Sequence, residues 1–133
     1  MLITVDPDAW LPVYRQIVSQ LRRAIAAGEI GPGDALPTVR QLAGDLGVNF
    51  NTVANAYRAL AEEGLVATHQ GRGVRVIARE KAEYNEDEAH ASLERFLSEM
   101  MLAAKSDGEI IALVERTMAT MRRPMQEPGG GKG

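Results

Sequence analysis

Asn51, Asn55 and Arg58 stand at i, i+4 and i+7, so a helix through them carries all three on one side, with Val53, Tyr57 and Leu60 on the other. Two amides and a guanidinium on one face suit base recognition. Asparagine pairs bidentately with adenine and arginine with guanine in the DNA major groove. Thr52 flanks this face and offers a hydroxyl to a phosphate or a methyl to a thymine. The start of the helix, capped by Asn49 or Asn51, adds free N–H groups and a dipole that attract phosphate. A plainer assignment competes: Asn49 only caps the helix, and Arg58 only pairs with Glu62 four residues on.

Other cations fit the same chemistry. Arg40 lies two residues beyond Thr38, in the first turn of the preceding helix, where a helix-turn-helix approaches the DNA backbone. Its alternative is a surface ion pair with Asp34 or Asp45. Arg72 sits between Gly71 and Gly73, and glycines on both sides let the backbone approach a surface closely. An arginine so placed suits minor-groove insertion or a phosphate clamp. His69, Gln70 and Arg75 are weaker candidates of the same kind.

Catalysis finds no support. His69 and His90 are the only histidines and have no partners at ligand spacing, so no metal site or cofactor is expected. Gly71-Arg72-Gly73 lacks the Gly-x-x-x-x-Gly-Lys pattern of a phosphate loop. The reading is that the chain is not an enzyme.

These residues need a scaffold, and the sequence punctuates one. Val13, Ile17, Leu21 and Ile25, with Tyr14, Val18 and Ala24, predict a helix that begins at Pro12 and ends at Gly28. Residues 1–9 read as an irregular lead-in. Leu36 precedes Pro37 and is expected to be a short strand. Thr38 and Gln41 have capping-box spacing, opening a short helix that Gly47 closes. The next helix runs to about Glu63, with Gly64 at its end. Residues 65–69 and 74–78 read as strands joined by a hairpin at Gln70-Gly71-Arg72-Gly73. Residues 79–86 read as a linker. Helices are expected at 87–105 and 107–122, the second opened by the Ser106/Glu109 capping box. From residue 123 the Pro/Gly-rich tail is expected to be disordered. The fold class is therefore mainly α with a small β-wing: a winged helix-turn-helix over 1–78 followed by a two-helix region over 87–122.

Composition sets wider bounds. The 133 residues hold 45% apolar side chains and no cysteine, which excludes a disulfide framework and thiolate metal sites. No apolar run approaches a membrane span and the start does not read as a signal peptide, so a cytoplasmic location without membrane contact is expected. The net charge of −3 is uneven. Residues 1–79 carry eight Lys/Arg against seven Asp/Glu, and residues 80–133 carry seven against eleven. The acid is concentrated after the wing, and the arginines before it remain free to cluster.

The motifs Pro12-Val13-Tyr14-x-Gln16-Ile17, Leu36-Pro37-Thr38-Val39-Arg40-Gln41-Leu42-Ala43, Val48-Asn49-x-Asn51-Thr52-Val53-x-x-Ala56-Tyr57, Glu63-Gly64-Leu65-Val66 and Gly71-x-Gly73 resemble the GntR family of bacterial regulators. The resemblance covers Pro12 to about Ile77. It implies an N-terminal winged helix-turn-helix that binds operators as a dimer, usually to repress. It places DNA contacts at Arg40, at Asn49 to Thr52 with Asn55, and at Gly71 to Gly73. The short C-terminal region is similar to the YtrA-like subfamily, in which it mainly makes the dimer. Three positions depart from the pattern: Phe50 replaces a frequent proline, Asn55 a frequent Arg or Lys, and Val74-Arg75 a frequent Thr-Phe. Arg75 is expected to compensate for Asn55.

The full set of expected DNA-binding residues is Thr38, Arg40, Asn49, Phe50, Asn51, Thr52, Asn55, Arg58, Gln70, Gly71, Arg72 and Gly73. The last two helices each have one broad apolar face, bearing Leu93, Phe96, Leu97, Met100, Met101 and Ala104, then Ile110, Leu113, Val114, Met118 and Met121. Two helices alone cannot bury both faces, so a homodimer through a four-helix arrangement is expected. The alternative is that both fold back on the winged domain. Methionines here suit an adaptable core and leave room for an unidentified small-molecule effector. The functional expectation is a sequence-specific repressor on an inverted repeat. The competing class is a winged-helix protein–protein adaptor without specific DNA binding, favoured by the near-neutral N-terminal charge and by Asn55.

Overall fold

In a computed structural model, residues 3–69, 73–77 and 84–122 are described. They divide into two compact units, one within residues 3–77 and the other within 84–122. The first holds helices α1 (Val13–Ala26), α2 (Val39–Leu46) and α3 (Phe50–Glu62), with strands β1 (Ala35–Leu36), β2 (Val66–His69) and β3 (Gly73–Val76). The second holds α4 (Glu86–Leu102) and α5 (Asp107–Arg122). This is the mainly helical winged fold that the sequence predicts.

The helices of the first unit are bounded where the local chemistry requires. At eight residues α2 is too short to be stable alone, so its ends and its packing must hold it. Thr38 Oγ1 accepts from Gln41 N–H at 3.0 Å, and Gln41 Oε1 accepts from Thr38 N–H at 2.9 Å, completing the capping box. Gly47 ends the helix in the left-handed region (φ 68°), and residues 47–49 turn the chain into α3. Asn49 is the residue that caps α3, its Oδ1 accepting from Asn51 N–H at 2.7 Å.

The core is built around α3. Val53, Ala56 and Leu60 are fully buried with Tyr57, against Ile17, Val18 and Leu21 of α1 and Leu42 and Ala43 of α2. The Tyr57 hydroxyl donates to Pro37 O at 2.7 Å, tying α3 to the start of α2. Burial raises the phenol well above its ordinary range, so it stays protonated and donating. The sheet has order β1-β3-β2, antiparallel throughout. Leu36 pairs with Val74, and Val66 with Val76, and all four are buried. The strands are shorter than expected: β2 starts at Val66 and β3 stops at Val76.

Several details depart from expectation. Residues 3–9 are irregular, as expected, but they are tied to α1. Gln20 exchanges hydrogen bonds with both backbone groups of Thr4 (3.1 and 2.6 Å), and Gln16 with both of Asp6 (both 2.8 Å). Two residues of extended chain rise about 6.6 Å and one helical turn plus a fraction about 6 Å, so amides at i and i+4 can meet peptides at j and j+2. The clasp delivers Ile3 into the core. Tyr14 stays exposed, its hydroxyl accepting from Arg15 Nε at 3.3 Å. Arg22 forms a bidentate pair with Glu63, fastening α1 to the end of α3 and raising the guanidinium pKa.

In the second unit, α4 begins at Glu86, within the expected linker, because Asn85 Oδ1 accepts from Glu88 N–H at 3.1 Å. It ends at Leu102 rather than 105. Ala104 adopts φ 60°, and Lys105 N–H donates back to Met100 O at 3.0 Å, a left-handed helix stop in which alanine takes the usual glycine place. Ala104 thus leaves the apolar stripe assigned to it. Ser106 and Glu109 form their capping box at α5, and the Ser106 N–H and hydroxyl hold the Glu109 carboxyl below its ordinary range.

The Gly47 turn is open to test. No atom lies within 4 Å of a Cβ built there, so Gly47→Ala should cost only backbone strain, about 1–2 kcal/mol. Urea unfolding should show a lower midpoint at an unchanged slope.

Candidate nucleic-acid interface

Sealing one side of α3 in the core forces the other side outward. Asn51, Asn55 and Arg58 are all exposed, and Thr52 is half-buried at the edge of that face. Arg58 Nη1 donates to Asn55 Oδ1 at 2.8 Å, so the guanidinium leans back toward the N-terminus of the helix. The competing Arg58–Glu62 pairing is not the contact Arg58 makes; it bonds Asn55 instead. Asn55 keeps its amide hydrogens for an outside acceptor, and Arg58 keeps its other donors.

Two capping residues retain donors of their own. Thr38 accepts through Oγ1 and still has a hydroxyl hydrogen, and Asn49 accepts through Oδ1 and still has an NH2 group. Both are exposed at the N-termini of α2 and α3. Arg40, the second residue of α2, is exposed and has no hydrogen bond or ion pair among the described residues. The alternative ion pair with Asp34 or Asp45 does not form; Asp34 Oδ2 instead accepts from Gly31 N–H at 2.8 Å.

At the wing, Gly73 pairs with His69 and has φ 77°, a conformation suited to glycine. Gln70, Gly71 and Arg72 lie outside the described residues, as does the side chain of His69. Arg75 is the notable departure. Its Nη1 donates to Gly33 O at 2.8 Å, which joins β3 to the turn before β1. That ties the guanidinium to the scaffold, and Arg58 held by Asn55 is the cation that stands on the α3 face instead. Among the described residues no cluster of three metal-ligating side chains occurs, and no helix is long and apolar enough to cross a membrane.

Residues 13–76 match the family of bacterial regulatory proteins named gntR. YtrA from Sulfolobus acidocaldarius, described as a GntR-family transcription factor, is 36% identical and superposes with a TM-score of 0.61 over 74% of this chain and 99% of that one. The chain belongs to the GntR family. Its similarity to YtrA proteins extends to the HTH-type transcriptional repressor YtrA of Bacillus subtilis, 40% identical over 80 residues, or 60% of this chain and 62% of that relative. The chain spans about three-fifths of the length of such curated relatives. A transcriptional antiterminator from Listeria monocytogenes shares the fold, with a TM-score of 0.83 over 96% of this chain and 98% of its own at 22% identity.

Within this GntR-family scaffold the exposed α3 residues carry no packing load. Asn51→Ala, Asn55→Ala and Arg58→Ala should each change unfolding free energy by less than about 0.5 kcal/mol in urea titrations. Val53→Ala, midway between Asn51 and Asn55 in sequence but on the buried side, should cost about 2 kcal/mol or more.

Proposed function

We propose that this chain is a sequence-specific DNA-binding transcriptional regulator, a repressor, that binds an inverted repeat as a homodimer. The observation that carries this reading is the two-sided character of α3, sealed by Val53, Ala56, Tyr57 and Leu60 and open at Asn51, Asn55 and Arg58. Membership in the GntR family and the repressor role named for its Bacillus relative support it.

In this reading α3 enters the major groove. Asn51 and the free amide hydrogens of Asn55 meet adenine, and Arg58 meets guanine. Arg40, Thr52 and the remaining donors of Thr38 and Asn49 hold the phosphate backbone, which fixes register without reading sequence. The wing residues Gln70, Gly71, Arg72 and Gly73 complete the contact at the backbone or minor groove. Repression follows from occupancy of the operator.

Dimerisation is supported by what the second unit leaves uncovered. Among its described residues only Ile110 is buried. Leu93, Met101, Val114, Met118 and Met121 are exposed, and Phe96, Leu97, Met100 and Leu113 are half-buried. Leu102 and Ile111, outside the expected interface, are exposed as well. α4 and α5 do not pack along their lengths, so most of each apolar face stays uncovered. A cavity of about 620 Å3 at their elbow is lined by Met100, Ile110 and Leu113 with Lys105 and Arg116. We assign it to side chains of a second copy, and a small-molecule effector would compete for the same space. Two winged domains so joined would meet two half-sites with the twofold symmetry of an inverted repeat.

Gel-shift titration against the region upstream of its own gene tests the reading. A sequence-specific shift is expected, with affinity falling steeply as salt rises because phosphate contacts release counterions. Arg40→Ala should weaken binding about equally across sequences and lower the salt slope by about one, as loss of a phosphate contact does. No specific shift with genomic fragments at low salt would overturn the reading in favour of a protein–protein adaptor.

The oligomer has its own readout. Met118→Asp should give a monomer in analytical ultracentrifugation without unfolding the winged unit. Its DNA affinity should fall by about tenfold or more, since the second half-site then loses its high effective concentration.

A further inference from the structure

The cap of α3 is complete without Phe50. Asn49 supplies the hydrogen bond, and Val48 packs against the core that contains the fully buried Val53, the arrangement of a hydrophobic staple. Phe50 occupies the first helical position and is 50% exposed, outside the core. On the helix it stands on one flank of the face formed by Asn51, Asn55 and Arg58, while Thr52 stands on the other. Ala54, one turn on, is too small to cover the ring.

A phenyl ring cannot hydrogen-bond to a base edge or a phosphate. The major groove offers it one apolar partner, the C5-methyl group of thymine. The N-terminal residues of a recognition helix are the ones that reach base edges. A ring carried on a helix in that groove meets edges rather than base faces, unlike the apolar wedges of minor-groove proteins.

We infer that Phe50 is a specificity-determining residue that reads a 5-methylpyrimidine, its ring lying against the methyl group of a thymine opposite the first turn of α3. This rests on the proposed DNA-binding function. It adds that each half-site carries a thymine whose methyl group contributes to affinity, next to the base pair met by Asn51.

The test uses the full chain and an operator duplex selected from a random pool. Each thymine in the half-sites is replaced in turn by uracil, which removes the methyl group and nothing else. Uracil at one such position in a single half-site should weaken binding about fourfold, the worth of one methyl removed from water. Phe50→Ala should bind the thymine and uracil duplexes equally, and Phe50→Leu should keep most of the difference. Equal wild-type affinity for every uracil duplex overturns the inference. So does a methyl effect that survives in Phe50→Ala, which would assign the methyl to another residue such as Thr52. A Phe50-dependent bend of the duplex with no uracil effect overturns it too, placing the ring between base steps. A chain that selects no duplex at all fails at DNA recognition itself, a result distinct from these.

Discussion

The burial of one side of α3 is the constraint to which the rest of the first unit answers. At 13 residues the helix is marginal alone, and the four side chains it buries can be covered only by several neighbours at once. α1 covers them with Ile17, Val18 and Leu21, α2 with Leu42 and Ala43, and the sheet with Leu36, Val66, Val74 and Val76. The Tyr57 phenol then fixes α3 relative to the start of α2 through Pro37. With its rotation fixed in this way, the helix has no choice about which residues face outward.

The two units solve the burial problem in opposite ways. The first closes its own core and leaves amides and arginines outside. The second, with Ile110 alone buried among the described residues, has too few elements there to cover its own apolar side chains. Its ends are nonetheless well made, by Asn85, by the left-handed stop at Ala104 and by the Ser106/Glu109 box. Carefully bounded helices with uncovered apolar faces are what the proposed dimer would need.

Much of this was legible in the sequence because the signals are local. Thr38 with Gln41, Gly28, Gly47, Gly64 and the Ser106/Glu109 pair act within about one helical turn, and each marks an element end in the structure. The α3 face was legible for the same reason, as the complement of an apolar period. What was missed acts at long range or lacks a residue signature. The Gln16 and Gln20 clasp, the Arg22–Glu63 pair and the Arg75–Gly33 contact join segments 10 to 42 positions apart. Ala104 carries no hint of a left-handed conformation. Arg58 had two neighbours within reach on its own face, Asn55 and Glu62, and spacing alone does not choose between them.

One feature of α3 has a bearing on how such proteins diversify. The residues that meet the solvent on its outer face are absent from the core, and the α3 cap rests on Asn49 and Val48 instead. Core and surface are thus written in separate alphabets along one helix, interleaved but not shared. A lineage can exchange the letters at positions 50, 51, 55 and 58 without passing through an unfolded ancestor. Duplicated copies are then free to change their outer face while remaining interchangeable as folds.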